Sequence, residues 1–194
     1  GAANTLIGYR AMYATQAADD PNANTLVGYL AGDSIRGADN NTCIGANAGA
    51  SITTGHTNVC LGYGAEPTSA DANESITLGN SSISSLRCQV DISVLSDERD
   101  KEDIEDLSVG LDFINTLRPV KFTWNMRDGG KVGIKEAGFI AQDLDASQQA
   151  FDAEEYLQLV LKENPEKLEA TPARLLPILV KAVQELSAKV EALE

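Results

Sequence analysis

A short apolar phrase closed by glycine recurs along the first half of the chain. It runs Asn4-Thr5-Leu6-Ile7-Gly8, Asn24-Thr25-Leu26-Val27-Gly28, Asn41-Thr42-Cys43-Ile44-Gly45, Asn58-Val59-Cys60-Leu61-Gly62 and Ser75-Ile76-Thr77-Leu78-Gly79. The closing glycines fall at 8, 28, 45, 62 and 79, so the spacing is 20 residues once and then 17 three times. A fixed period of this size marks a stack in which each unit contacts its neighbours. Each unit reads as a short strand followed by polar turn residues such as Gly37-Ala38-Asp39-Asn40. One such unit is too thin to bury its apolar face alone, so it must stack on copies within the chain or from other chains. The expected architecture is a β-helix or β-prism stalk.

The second half changes period. Ile104, Leu107, Leu111 and Ile114 are spaced 3, 4, 3, which predicts a helix over roughly 101–117, and Pro119 stands just past its expected end. Val120-Lys121-Phe122-Thr123-Trp124 reads as a strand, Asp128-Gly129-Gly130 as a turn, and Ala137-Gly138-Phe139-Ile140-Ala141 as a second strand. At the C-terminus, Leu176, Leu179, Val183, Leu186, Val190 and Leu193 repeat at 3, 4, 3, 4, 3, a heptad seam predicting a coiled coil over about 173–194. Valine alternating with leucine leans towards two strands, so the seam supports association without proving three. The same spacing fits one amphipathic helix packed on its own domain. The fold class is therefore mixed: a repeat-built β-helix or β-prism stalk, expected to be interchain and trimeric, then an α+β domain ending in a long coiled-coil helix.

Charge sharpens the boundary. Residues 1–95 hold 8 acidic and 3 basic residues, whereas residues 96–194 hold 21 and 12. Eleven of the 16 glycines lie in the first part. A rise in charge density coinciding with loss of glycine divides the chain into 1–95 and 96–194. The net charge of −14 argues against nucleic acid and against anionic membrane as partners, since both need clustered Lys and Arg. No apolar run approaches the roughly 20 residues that span a bilayer. The opening Gly-Ala-Ala-Asn lacks the features of a signal peptide and reads as the start of a fragment. Three cysteines do not make a disulfide scaffold. Cys43 and Cys60 occupy equivalent repeat positions, a separation compatible with a disulfide, although small apolar thiols in a stack is the simpler reading. The single histidine, His56, has no second histidine or carboxylate at ligand spacing, so neither a metal nor a cofactor is expected.

One segment at the boundary carries candidate chemistry: Ser96-Asp97-Glu98-Arg99-Asp100-Lys101. A serine hydroxyl needs a base to act as a nucleophile, and a neutral lysine can serve. The surrounding Asp97, Glu98, Asp100, Glu102 and Asp103 favour the charged lysine, so burial or Arg99 would have to offset them. Taken alone the segment also fits helix capping by Ser96 or Asp97.

Ser-Asp-Glu-Arg-Asp-Lys-Glu-Asp-Ile, beginning at Ser96, resembles the opening of the endosialidase-type intramolecular chaperones. These are self-cleaving domains at the C-termini of bacteriophage tailspikes, tail fibres and neck appendages. Three further blocks resemble the family in order: Leu117-Arg118-Pro119-Val120-Lys121-Phe122-Thr123-Trp124, then Gly138-Phe139-Ile140-Ala141-Gln142-Asp143-Leu144, then Leu176 through Leu186. The resemblance implies that Ser96 is the nucleophile, that Lys101 is its basic partner, and that the cut falls at Leu95–Ser96. Asp97 and Arg99 match motif positions and are expected to hold geometry. The resemblance further implies a homotrimer whose chaperone domain registers the stalk and then removes itself. It implies a virion tail or appendage assembled in the host cytoplasm, attached through a missing N-terminal part, with the chaperone domain released after cleavage.

Two alternatives compete. One is a structural trimer tip that never cleaves. The other is a stalk that binds or cuts host surface glycan, for which Asp19, Asp20, Asp33, Asp39, Asp71 and Glu74 are the candidate carboxylates.

Overall fold

The computed structural model describes residues 1–16 and 19–193. These fall into two compact units, 1–85 with 124–134 and 86–123 with 135–194.

In the first unit the five repeats become five three-residue strands: β1 (Thr5–Ile7), β2 (Thr25–Val27), β3 (Thr42–Ile44), β4 (Val59–Leu61) and β5 (Ile76–Leu78). They pair in sequence order, all parallel, with equivalent repeat positions opposite one another: Leu6 meets Leu26, Leu26 meets Cys43, Cys43 meets Cys60, Cys60 meets Thr77. The chain therefore coils into a solenoid of its own, and the expected sharing of repeats between chains gives way to stacking within one chain, because each 17-residue unit returns the chain to the next rung. Alternation along a strand turns the middle residue inward. Leu26, Cys43 and Cys60 are fully buried, beside Ala31, Ala48 and Ala65 and the turn residues Ile35 and Ile52.

Two devices fix the stacking. The first is a ladder of asparagines on the inner side of the strand entrance. Asn24, Asn41 and Asn58 are fully buried. The side-chain oxygen of Asn4 accepts from the backbone N–H of Asn24 at 2.9 Å, that of Asn24 from Asn41 at 2.9 Å, and that of Asn41 from Asn58 at 2.9 Å. Each side-chain NH₂ meanwhile donates to a carbonyl in the following turn: Asn24 to Ala38 at 2.8 Å, Asn41 to Gly55 at 2.9 Å, Asn58 to Ala72 at 2.7 Å. Ser75 ends the series by donating its hydroxyl to Asn58 at 2.7 Å. Every buried amide group thus has a partner, the condition for carrying polar atoms in a core. The second device is the closing glycine. Gly28 has φ +147° and a Cβ there would run into the carbonyl of Gly45, so neither the conformation nor the space admits a side chain.

Cys43 and Cys60 are in register, buried and free thiols. A hydrogen bond shared with Cys60, reinforced by burial, pushes the Cys43 thiol up from its ordinary value. The apolar-thiol reading holds, and no disulfide links them.

The second half is mixed. β6 (Val120–Asn125) and β7 (Val132–Gly138) form a two-stranded sheet, joined by the expected turn in which Asp128 accepts from the Gly130 N–H at 2.9 Å and Gly129 has φ +75°. The strand forecast over 137–141 runs too far: β7 ends at Gly138, and α2 (Ala141–Ala150) begins at once. Four further elements follow: α3 (Glu154–Leu157), β8 (Val160–Leu161), its antiparallel partner β9 (Glu169–Ala170), and α4 (Leu176–Glu191), which a 3₁₀ turn over Pro172–Leu175 introduces.

The helix expected over 101–117 is reduced to one turn, α1 (Leu111–Ile114). Asp103 sits at φ +51°, and Gly110, with φ −149° and ψ −123°, enters α1 from outside helical space. The apolar spacing still marks burial in part: Leu107 and Ile114 pack on the core, while Ile104 stays exposed. That core comprises Val109, Phe113, Leu144, Leu157, Leu159, Leu175 and Ile178, with Phe113 meeting Phe151 edge-to-face at 5.3 Å. Gln148, fully buried on α2, accepts from the Leu159 N–H at 2.9 Å and donates to Asp145 at 2.9 Å, tying α2 to the chain entering β8.

Candidate functional site

The segment Leu95 to Lys101 is exposed and short-range in its contacts. Leu95 is 83% exposed. A 3₁₀ turn spans Glu98–Asp100, with Asp97 as its N-cap and Lys101 as its C-cap. The cap follows from side-chain chemistry: Asp97 accepts from the Arg99 backbone N–H at 2.9 Å, satisfying a donor the turn leaves open. The same carboxylate takes the Arg99 guanidinium in a fork, Nε at 2.9 Å and Nη2 at 2.6 Å. Arg99 in this way holds the Asp97 carboxyl below its usual range, its side chain first and its backbone N–H second, and is itself raised by the pairing.

The turn folds Lys101 back over its start. Lys101 Nζ donates to Ser96 Oγ at 2.7 Å and to the Ser96 carbonyl at 3.1 Å. Ser96 and Lys101 are thereby brought within hydrogen-bond reach of each other, and Asp97 with Arg99 braces the turn between them. Serine, amine and the Leu95 carbonyl lie within one short stretch of chain, which suits an attack needing no bound substrate.

The α4 helix supplies a second feature. Ile178 and Ala182 are buried, and Glu185 accepts from the Leu111 N–H at 2.8 Å at the start of α1. A Cβ on Gly110 would crowd that carboxylate at 2.5 Å. The heptad positions Leu176, Leu179, Val183, Leu186 and Val190 lie elsewhere on the helix and are 44 to 66% exposed. Glu194, the last residue of the expected coiled coil, lies outside the described residues. Sequence periodicity marked the outward stripe and missed the inward one, as well as Gly110 and Gln148, for which spacing carries no signal.

The other candidates occupy turns. His56 Nδ1 accepts from the Asp39 N–H at 2.9 Å, one coil away. Asp19 accepts from the Gln16 N–H at 2.8 Å, Asp39 from the Asn22 N–H at 2.6 Å, and Asp71 from the Ser69 hydroxyl at 2.7 Å. Among the described residues no group of three His, Cys, Asp or Glu is placed to hold a metal, and no helix is long and apolar enough to cross a membrane.

Residues 96–153 match the family model described as chaperone of endosialidase, a peptidase family, and the match begins at Ser96. The match supports an endosialidase-type chaperone domain in this part of the chain. Comparison with curated proteins and with solved structures gave no match. The family supports an intramolecular chaperone role, and it implies a domain of the self-cleaving serine-peptidase type.

Proposed function

We propose that the chaperone domain assembles three copies of this chain, registers their solenoids as the stalk of a bacteriophage tail or appendage protein, and then cuts itself off at Leu95–Ser96. The observation that carries the reading is the 2.7 Å contact of Lys101 Nζ with Ser96 Oγ, at the residue where the family match begins.

The chemistry balances with groups of this chain and one water. Lys101, once neutral, takes the Ser96 hydroxyl proton as Oγ attacks the Leu95 carbonyl carbon. The C–N bond breaks and the proton passes to the departing Ser96 nitrogen. An ester now joins Leu95 to Ser96 Oγ. Water hydrolyses it, leaving a Leu95 carboxylate and restoring the serine hydroxyl. Asp97 and Arg99 hold the turn and move no proton. In the single chain Lys101 is exposed; copies closing around it would strip water and favour the neutral amine. Such coupling makes cleavage a report of completed assembly. Once the domain has gone, the stalk retains a fold it cannot readily regain, and its persistence rests on slow unfolding.

The α4 seam supports the assembly step, because a heptad face left uncovered by its own domain matches the same face of another copy. Intact mass of the purified protein, beside Ser96→Ala and Lys101→Ala, tests the whole reading. Fragments 1–95 and 96–194 from the parent with both variants whole are expected. A parent that stays whole under assembling conditions would leave a structural tip; a Lys101→Ala protein that still cuts would keep the serine and remove the base.

A further inference from the structure

The solenoid has its own uncovered face. With the middle strand residues turned inward, the flanking ones form two outward columns in register: Thr5, Thr25, Thr42, Val59, Ile76 and Ile7, Val27, Ile44, Leu61, Leu78. A third column follows the closing glycines, with Tyr9, Tyr29, Ala46 and Tyr63. No charged residue occurs in any of the three, although acidic residues populate the turns elsewhere on the coil. Ile7, Ile44, Leu61, Ile76, Leu78, Tyr9, Tyr29 and Tyr63 are 37 to 72% exposed. Their open area is on the order of 700 Å², above the few hundred Å² usual for a monomer's largest patch and close to the ~800 Å² that each side of a standard interface covers.

We infer that this sheet face is where the solenoids of separate copies of the chain meet, side chain against side chain. Three observations choose that occupant. From β2 to β4 both strand edges are already paired within the chain, so a partner on this face has to engage side chains and not backbone. The repeat gives the face one period along its length, 17 residues per coil after the first, so parallel copies in register present equivalent rungs at every level. The tyrosines are poorly arranged for a sugar: Tyr9 and Tyr29 stack on each other at 5.5 Å and 9°, each covering one ring face of the other, and the adjacent column Ile7, Val27, Ile44, Leu61, Leu78 offers a sugar no hydroxyl partner. The inference takes its partner, another copy, from the proposed assembly but does not require cleavage.

The test uses the full chain carrying Ser96→Ala, so that it remains whole, and Cys88→Ser, which removes the exposed thiol. Into this background go Leu61→Cys on the face and, separately, Asp71→Cys on a turn. Maleimide labelling of Leu61→Cys at least tenfold slower than of Asp71→Cys is expected, with oxidation joining only the former into chains of double mass. As a second readout, Ile44→Lys with Leu61→Lys should lower the assembly mass in light scattering while leaving circular dichroism unchanged, because both side chains lie outside the solenoid's own core. Equal labelling rates together with an unchanged assembly mass would overturn the inference and leave the face open to a foreign ligand, a glycan included. A single-copy parent would overturn it too. Loss of cutting in the parent would strike the dyad alone, since this comparison is made without Ser96.

Discussion

In the solenoid Leu26 meets Cys43 and Cys43 meets Cys60, each contact seventeen residues from the last. In the second unit Phe113 meets Phe151, and the Leu111 amide bonds to a glutamate 74 residues away. The first core is therefore a sum of nearest-neighbour terms, and the second a single closed set. A stack of near-identical rungs has little to distinguish one pairing from another, and register slips cost least where neighbours look alike. A core built from distant and dissimilar side chains has one way to close. That contrast gives the proposed registration a physical basis: the unit with a unique solution is the one equipped to fix the starting register of the one without.

Mutations that act on one core and leave the other alone test this contrast. The largest effect is expected from Phe113→Ala, about 3–5 kcal/mol, because a fully buried ring leaves a cavity among residues drawn from α2, α3 and α4. Calorimetry should show one transition fall and the solenoid's hold; transitions that fall together would mean that the halves unfold as one. Next, Asn41→Leu leaves the Asn58 N–H and the Gly55 carbonyl buried without partners, about 3 kcal/mol, and here the solenoid's transition should move. Gly110→Ala follows at about 1–2 kcal/mol, read in denaturant melts, with the strain relieved in the double variant Gly110→Ala, Glu185→Ala.

The smallest effect concerns the turn at the proposed cut. Arg99 depresses the Asp97 carboxyl in the folded chain, so the fork is fully formed above the usual carboxylate value of about 3.9 and is lost as pH falls through the lowered one. NMR titration should place the Asp97 midpoint below the usual carboxylate value, and Arg99→Gln should move it upward. Both groups are open to solvent, so global stability should barely respond.

Much of this was legible in the sequence, and unevenly so. Five aligned phrases marked the strands and the fact of their stacking, but a period of seventeen does not say whether the next rung belongs to the same chain or to another. The asparagine opening four of the five phrases was visible as a repeat, but its role was not: a polar residue at a strand entrance usually faces water, and only the closed coil shows a carbonyl on one side and an amide on the other. The stripe from Ile104 to Ile114 misled for the opposite reason. Spacing of 3 and 4 reports which side chains seek the core, and an irregular path through Asp103 and Gly110 delivers Leu107 and Ile114 there as well as a helix would. Ser96 and Lys101 come within hydrogen-bond reach because the 3₁₀ turn over Glu98–Asp100 carries the lysine back over its start, a local geometry that spacing alone does not specify. The outward sheet face emerged only when five rungs were seen in register.

The asparagine ladder has one more property. Each side chain hands its oxygen to the next coil and its NH₂ to the turn that follows, so every coil presents the same socket above that it plugs into below. A coil is in that sense a counted quantity. Duplicating residues 41–57 should extend the shaft by one strand spacing, about 4.8 Å, and leave both ends with the neighbours they had. An insertion that fails to bring another asparagine to the strand entrance would leave an amide without its acceptor, whereas the first coil keeps the socket with 20 residues. Length in such a shaft is set by whole numbers, and evolution can change it only by whole steps.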